Sequence, residues 1–264
     1  MKKSLTKKLI MFLCVISMLF SMTACGGDSK SDKKSSSKKT EESDEKKVSK
    51  KKVIEEEEVE EVEEVEDYED VYEEPEDIEE EDLEAEVEMV TGVTSGNTYE
   101  NYFFGYGVTL GADWNMKTQK EIEIQREQTI GLAGGADNIK AAFDVTITDM
   151  MAVNANGYDT INVGIEKPNV DPSLYTEDDY VKSSKDPACQ ALEQMGLENV
   201  ECQDGTYTIQ GESHAAGKIH GTYNGEDVYE LLIVVKEGEY ISVITVCTWG
   251  TDSTDEIAQN IYLL

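Results

Sequence analysis

The chain has 264 residues and carries 23 lysines and arginines against 57 aspartates and glutamates, a net charge of -34. The charge is divided: residues 26–52 hold ten lysines and six acids, residues 54–88 hold 23 acids and no basic residue, and residues 89–264 hold 28 acids and nine basic residues. An acidic excess in each of the last two parts argues against nucleic acid and anionic wall polymers as direct partners, since like charges oppose approach.

The first 24 residues read as a secretory signal. Lys2, Lys3, Lys7 and Lys8 precede an apolar run from Leu9 to Phe20, and small residues follow. That run is about a dozen residues, short of the roughly 20 that span a bilayer as a helix. Met22-Thr23-Ala24-Cys25 resembles the lipobox of bacterial lipoproteins. The resemblance implies lipidation of Cys25, which would become the mature N-terminus on the outer face of the cell membrane. Two acyl chains suffice for stable attachment. The other reading is an ordinary signal peptide with an incidental cysteine.

Residues 25–98 are expected to form a disordered tether, Lys-rich and then Glu-rich. They hold too few apolar residues to offset chain entropy. Val59, Val62 and Val65 permit a fluctuating helix, but unpaired like charges oppose it and Pro75 interrupts it. Stretched, such a spacer reaches on the order of 200 Å. Two readings of its charge order stay open. Lysines next to an anionic leaflet hold the proximal part down while the acids are repelled outward, or the composition is simply that of a solvated spacer. The acidic run lacks a D-x-[DN]-x-[DN]-G pattern, so calcium binding there would be diffuse.

A globular domain is expected over 99–264. Tyr102 to Leu110 reads as a strand or bent strand pair ending at Gly111-Ala112-Asp113-Trp114. Thr118-x-x-Glu121 is a capping box opening a helix to about Ile130. Phe143, Val145 and Ile147 alternate with Asp144, Thr146 and Thr148 as in a half-buried strand, and the turn Asn154–Gly157 leads into a second, Ile161 to Ile165. Thr176 caps a helix to about Gly196, with Pro187 bending it or starting another. Asn224-Gly225 joins Lys218–Tyr223 to Val228–Val235 in a hairpin, and Lys236–Glu239 turns into Tyr240–Trp249. The unbroken apolar run from Leu231 to Val235 requires cover on both faces. Ser253-x-x-Glu256 is expected to cap a last helix with Ile257, Ile261 and Leu264 on one side. Antiparallel strands with helices before, between and after them give an α+β fold, an antiparallel sheet flanked by helices.

Asp149-Met150-Met151-Ala152, Thr160-Ile161-Asn162-Val163 and Gly196-Leu197-Glu198-Asn199-Val200 resemble lipoproteins of clostridial gut bacteria. The element order resembles the PsbP-like sandwich shared by photosystem subunits, a Ran-binding protein and DcrB-type lipoproteins. Gly111-Ala112-Asp113 departs from it where many relatives have a proline before Gly-Trp. The resemblance implies an interaction module of a Gram-positive envelope and no particular chemistry.

Chemistry is sparse. His214 and His220 lie about 20 Å apart along one strand and share no metal unless the chain folds back at Gly217. Cys189 and Cys202 can pair or stay reduced, and Cys247 reads as a buried residue rather than a nucleophile. Tyr99, Tyr102, Phe103, Phe104, Tyr106 and Trp114 are either a stacking platform or ordinary core, with core preferred. No catalytic, cofactor or metal residue is assigned, and Cys25 is the one modification site. The expected role is non-enzymatic binding or scaffolding of an envelope protein or small ligand; the alternative is a small-molecule or wall-fragment binding lipoprotein serving a transporter.

Overall fold

The computed structural model describes residue 87, residues 89–132, residue 140 and residues 143–264. The signal at 1–24, the acceptor Cys25 and the tether as far as residue 86 lie outside the described residues. The expected tether boundary at residue 98 moves back. Val90 is fully buried, and β1 (Val93–Ser95) pairs antiparallel with β2 (Thr98–Asn101). Asn101 Nδ2 donates to the Val90 carbonyl at 2.9 Å, which ties this segment to the core.

The chain continues as β3 (Tyr106–Thr109), β4 (Trp114–Met116), α1 (Gln119–Leu132), β5 (Thr146–Asn154), β6 (Thr160–Glu166) and α2 (Glu177–Gln194). Four long strands follow, β7 (Glu198–Ile209), β8 (Glu212–Tyr223), β9 (Glu226–Glu237) and β10 (Tyr240–Trp249), and then α3 (Thr254–Ala258) and β11 (Ile261–Leu263). They build two antiparallel sheets, a large one in the order β4-β5-β6-β10-β9-β8-β7 and a small one in the order β1-β2-β3-β11. The α+β expectation holds. The second sheet is an addition that the sequence reading lacked.

Strand parity explains the layers. Along β9, Val228, Leu232 and Val234 enter one core with Ile122 of α1 and with Tyr180, Val181, Ala188 and Leu192 of α2. The alternate residues Leu231, Ile233 and Val235 enter a second core with Tyr99, Tyr106 and Val108 of the small sheet. α1 and α2 thus cover one face of the large sheet, and the small sheet together with α3 covers the other. This is the two-sided cover that the apolar run of β9 required. β6 is buried at every position for the same reason, where alternation had suggested one wet face.

Local signals account for most boundaries. The Thr118 and Glu121 box forms as expected, with Thr118 N–H donating to Glu121 Oε2 at 2.9 Å and Glu121 N–H to Thr118 Oγ1 at 3.3 Å. Thr176 caps α2 in the same reciprocal way with Asp179, and the helix runs unbroken through Pro187. Asn224 and Gly225 both adopt positive φ, 51° and 83°, as a tight two-residue hairpin demands. Trp114 N–H donates to the Gly111 carbonyl at 3.1 Å, so the segment without proline still closes a β-turn.

Three expectations are corrected. Residues 102–105 are a turn between β2 and β3, so the hairpin starts earlier than the aromatic run. Phe143, Asp144 and Val145 are helical, and the strand begins at Thr146; Val145, 58 % exposed, has no core to face. The last helix is five residues long and lacks a Ser253 cap. Asp252 instead accepts from Thr254 N–H and Oγ1. Ile261 to Leu263 then leaves helical geometry to pair with β3, whose edge would otherwise stay open.

Candidate functional site

The ladder between β8 and β9 stops at the pair Ala216 and Ile233, and beyond it the strands part. The first residue of α2 enters this gap. Glu177 accepts from Ala215 N–H at 3.1 Å and Lys236 N–H at 3.0 Å, and lies 3.1 Å from His214 Nδ1. One carboxylate thereby satisfies two backbone donors that the sheet has released. Burial raises the Glu177 pKa, but the bonds from His214, Ala215 and Lys236 outweigh it and hold the carboxyl below its ordinary range. The bond to Glu177 in turn raises the His214 pKa, against the opposing effect of burial.

An open groove of about 430 Å³ runs past this pair, lined by Thr176, Asp178, Thr206 and Ser213 as well as Glu177, His214 and Ala215. With Nδ1 turned to the carboxylate, Nε2 is the ring atom left for chemistry. It is enclosed and has no hydrogen-bond partner. A general base must come within about 3 Å of the proton it removes, and an enclosed Nε2 does not reach the groove. The pair is built to hold α2 against the sheet and to present a polar, acid-rimmed hollow.

His220 stands apart from His214 on the same regular strand, with no fold-back at Gly217. It stacks on Tyr229 with ring centroids 4.7 Å apart, and its Nε2 lies 3.0 Å from Asp227. The structure therefore gives each histidine its own carboxylate. Among the described residues no group of three or more His, Cys, Asp or Glu side chains is placed to hold a metal ion.

Cys189 of α2 and Cys202 of β7 form a disulfide, with Cα atoms 6.2 Å apart. Cys247 is buried in the helix-side core, as expected. Of the early aromatics, Tyr99, Phe104 and Tyr106 are buried between the sheets, Phe103 packs edge-on against Tyr240, and Trp114 packs partly buried on the same core. Tyr102 is the exposed member. All but Tyr102 are core rather than a stacking platform.

Buried acids are what the sequence reading missed. Asp149 accepts from Tyr99 Oη at 2.5 Å, Gly92 N–H at 2.7 Å and Asn101 Nδ2 at 3.4 Å. Burial raises its pKa despite these donors. Glu166 accepts from Tyr180 Oη, and burial carries the tyrosine far above its usual range. Both acids tie layers together. Glu230 on β9 is the third, and parity marks it, since Val228, Leu232 and Val234 on the same face are all core.

No helix among the described residues is long and apolar enough to cross a membrane. No family model matches the chain. No curated protein matches it either. Neither comparison, then, returns a PsbP-like or clostridial relative. Among solved structures the chain is similar to LpqN, involved in cell envelope biogenesis of Mycobacterium tuberculosis, at 12 % identity and a TM-score of 0.34 over 66 % of this chain and 89 % of that one. At that score the likeness carries no argument about function.

Proposed function

We propose that this protein is a lipid-anchored lipoprotein of the outer face of the cell membrane, whose α+β domain is a non-enzymatic binding or scaffolding module of the envelope. The observation that carries the reading is the Cys189–Cys202 disulfide. Structural disulfides persist in oxidising compartments and are rare in reducing ones. The pairing agrees with a signal segment and an acyl-acceptor Cys25, features read independently from the first 25 residues. The Gram-positive setting and the PsbP-like kinship belong to the same proposal and rest on sequence motifs alone.

The second reading, a small-ligand binding lipoprotein serving a transporter, is favoured by the groove of about 430 Å³ beside Glu177 and His214. Crosslinking in intact cells separates the two. The lipidated protein is compared with a version lacking residues 99–264. One stoichiometric envelope protein that needs the domain supports the module. No capture, with a melting temperature raised by a wall fragment or nutrient, supports the transporter reading instead.

A further inference from the structure

Antiparallel register carries side chains from neighbouring strands onto one face. Cys247 of β10 stands opposite Glu230 of β9 on one side and opposite Thr160 of β6 on the other. Thr245, two residues earlier on β10, points the same way. This is the helix-covered face, because Cys247 and the flanking Val228 and Leu232 share a core with Ala188 and Leu192 of α2.

Glu230 and Thr160 are each 2 % exposed and Thr245 is 1 % exposed. Both carboxyl oxygens of Glu230 and the hydroxyl oxygens of Thr160 and Thr245 lack any hydrogen-bond partner. Four such oxygens on three adjacent strands are unusual, because buried polar groups in native proteins are satisfied by protein, water or an ion. Thr245 is a diagonal neighbour of Glu230, about 7–8 Å away along the backbone. Thr160 is two strands over, about 10 Å, with only the small Cys247 side chain between. The long glutamate side chain can lean back across that gap.

The chemistry of the four atoms selects the occupant. All are hard oxygen donors, which suit hard cations. They bring one carboxyl and hence one unit of negative charge, where divalent sites usually gather more. The ladder partners and same-strand neighbours of Glu230, namely Ile219, Cys247, Val228 and Leu232, and the α2 residues of the same core, Ala188 and Leu192, supply no countercharge. The unpartnered N–H donor on this face among the described residues is the buried indole of Trp249, a diagonal neighbour of Glu230.

We propose that Glu230, Thr160 and Thr245 form an internal binding site for a monovalent cation of the sodium, potassium or ammonium class. Burial without a countercharge pushes the Glu230 carboxyl up to about 8, so near neutral pH the site holds a proton. Binding exchanges one for the other: the carboxyl O–H bond breaks, the proton leaves to water and the cation takes its place beside the carboxylate. Affinity therefore rises about tenfold per pH unit below that value.

The test is thermal melting of the full chain in sodium, potassium, ammonium or tetramethylammonium chloride at equal ionic strength, at pH 7 and pH 8.5. One of the three small cations is expected to raise the melting temperature by about 3–5 °C over tetramethylammonium when present at tenfold its dissociation constant. The gain is larger at pH 8.5 and is lost in Glu230→Gln. Thr160→Val and Thr245→Val, which keep shape and remove an oxygen, weaken it. Identical melting in all four chlorides, meaning that water alone satisfies these oxygens, overturns the proposal. So does a cation-specific gain that survives Glu230→Gln or is untouched by both threonine variants.

Discussion

Half-buried Glu177 and fully buried Glu230 have opposite consequences for stability. Glu177 satisfies two backbone N–H groups and a histidine, so Glu177→Ala leaves three donors without a partner. Removing it should cost about 2–3 kcal/mol and lower the melting temperature by several degrees. The pH dependence follows from the two shifts. The depressed Glu177 contributes stability that is present above its ordinary value of 4.5 and lost as pH falls through its folded value. The raised His214 contributes stability that is present below 6.5 and lost as pH rises through its folded value. The difference in melting temperature between wild type and Glu177→Ala should therefore peak between about pH 5 and 6.5 and shrink on either side. Glu230 behaves otherwise. Its folded pKa of about 8 against an ordinary 4.5 means the folded state holds a proton that the unfolded chain releases, so stability falls as pH rises from 4.5 to 8. Melting in a tetramethylammonium buffer should show Glu230→Gln more stable than wild type at pH 8 and nearly equal at pH 4.5. Little of this was legible beforehand. The apolar run after Glu230 calls for cover on both faces, while the glutamate one residue earlier shares a face with Val228 and Leu232. That parity was the available signal, and only the tertiary layer decided which face was dry.

At the scale of elements, the disulfide and the last strand are the clearest levers. Cys189 and Cys202 close a short loop, with a sequence separation of 13. Cys189→Ser should lower stability by about 3 kcal/mol, measured by denaturant unfolding with and without reductant. β11 pairs with β3 and buries Ile261. A chain ending at Asn260 should reopen the β3 edge and melt several degrees lower. The hairpins of the large sheet were legible because Asn224-Gly225 and the Asn154–Gly157 turn name their own geometry. β10 came out with its observed bounds, since its apolar run ends at turn signals on both sides. β11 did not. Ile257, Ile261 and Leu264 fit a helical period, and nothing local announces that an open strand edge lies 150 residues back in sequence. The early hairpin was misplaced for a related reason. Three of the four residues of its turn, Tyr102, Phe103 and Phe104, are aromatics that favour strands.

For the whole molecule, a large antiparallel sheet is buried on one side by α1 and α2 and on the other by a second sheet with α3, and no described helix is long and apolar enough to cross a membrane. The proposed attachment of this domain to the envelope rests on lipidation of Cys25. Intact-mass analysis of the protein extracted from the membranes of the cells that make it reads the anchor and the disulfide together. The account predicts a chain that begins at a diacylated Cys25 and carries an oxidised Cys189–Cys202 pair. An unacylated chain with those two cysteines reduced would contradict it.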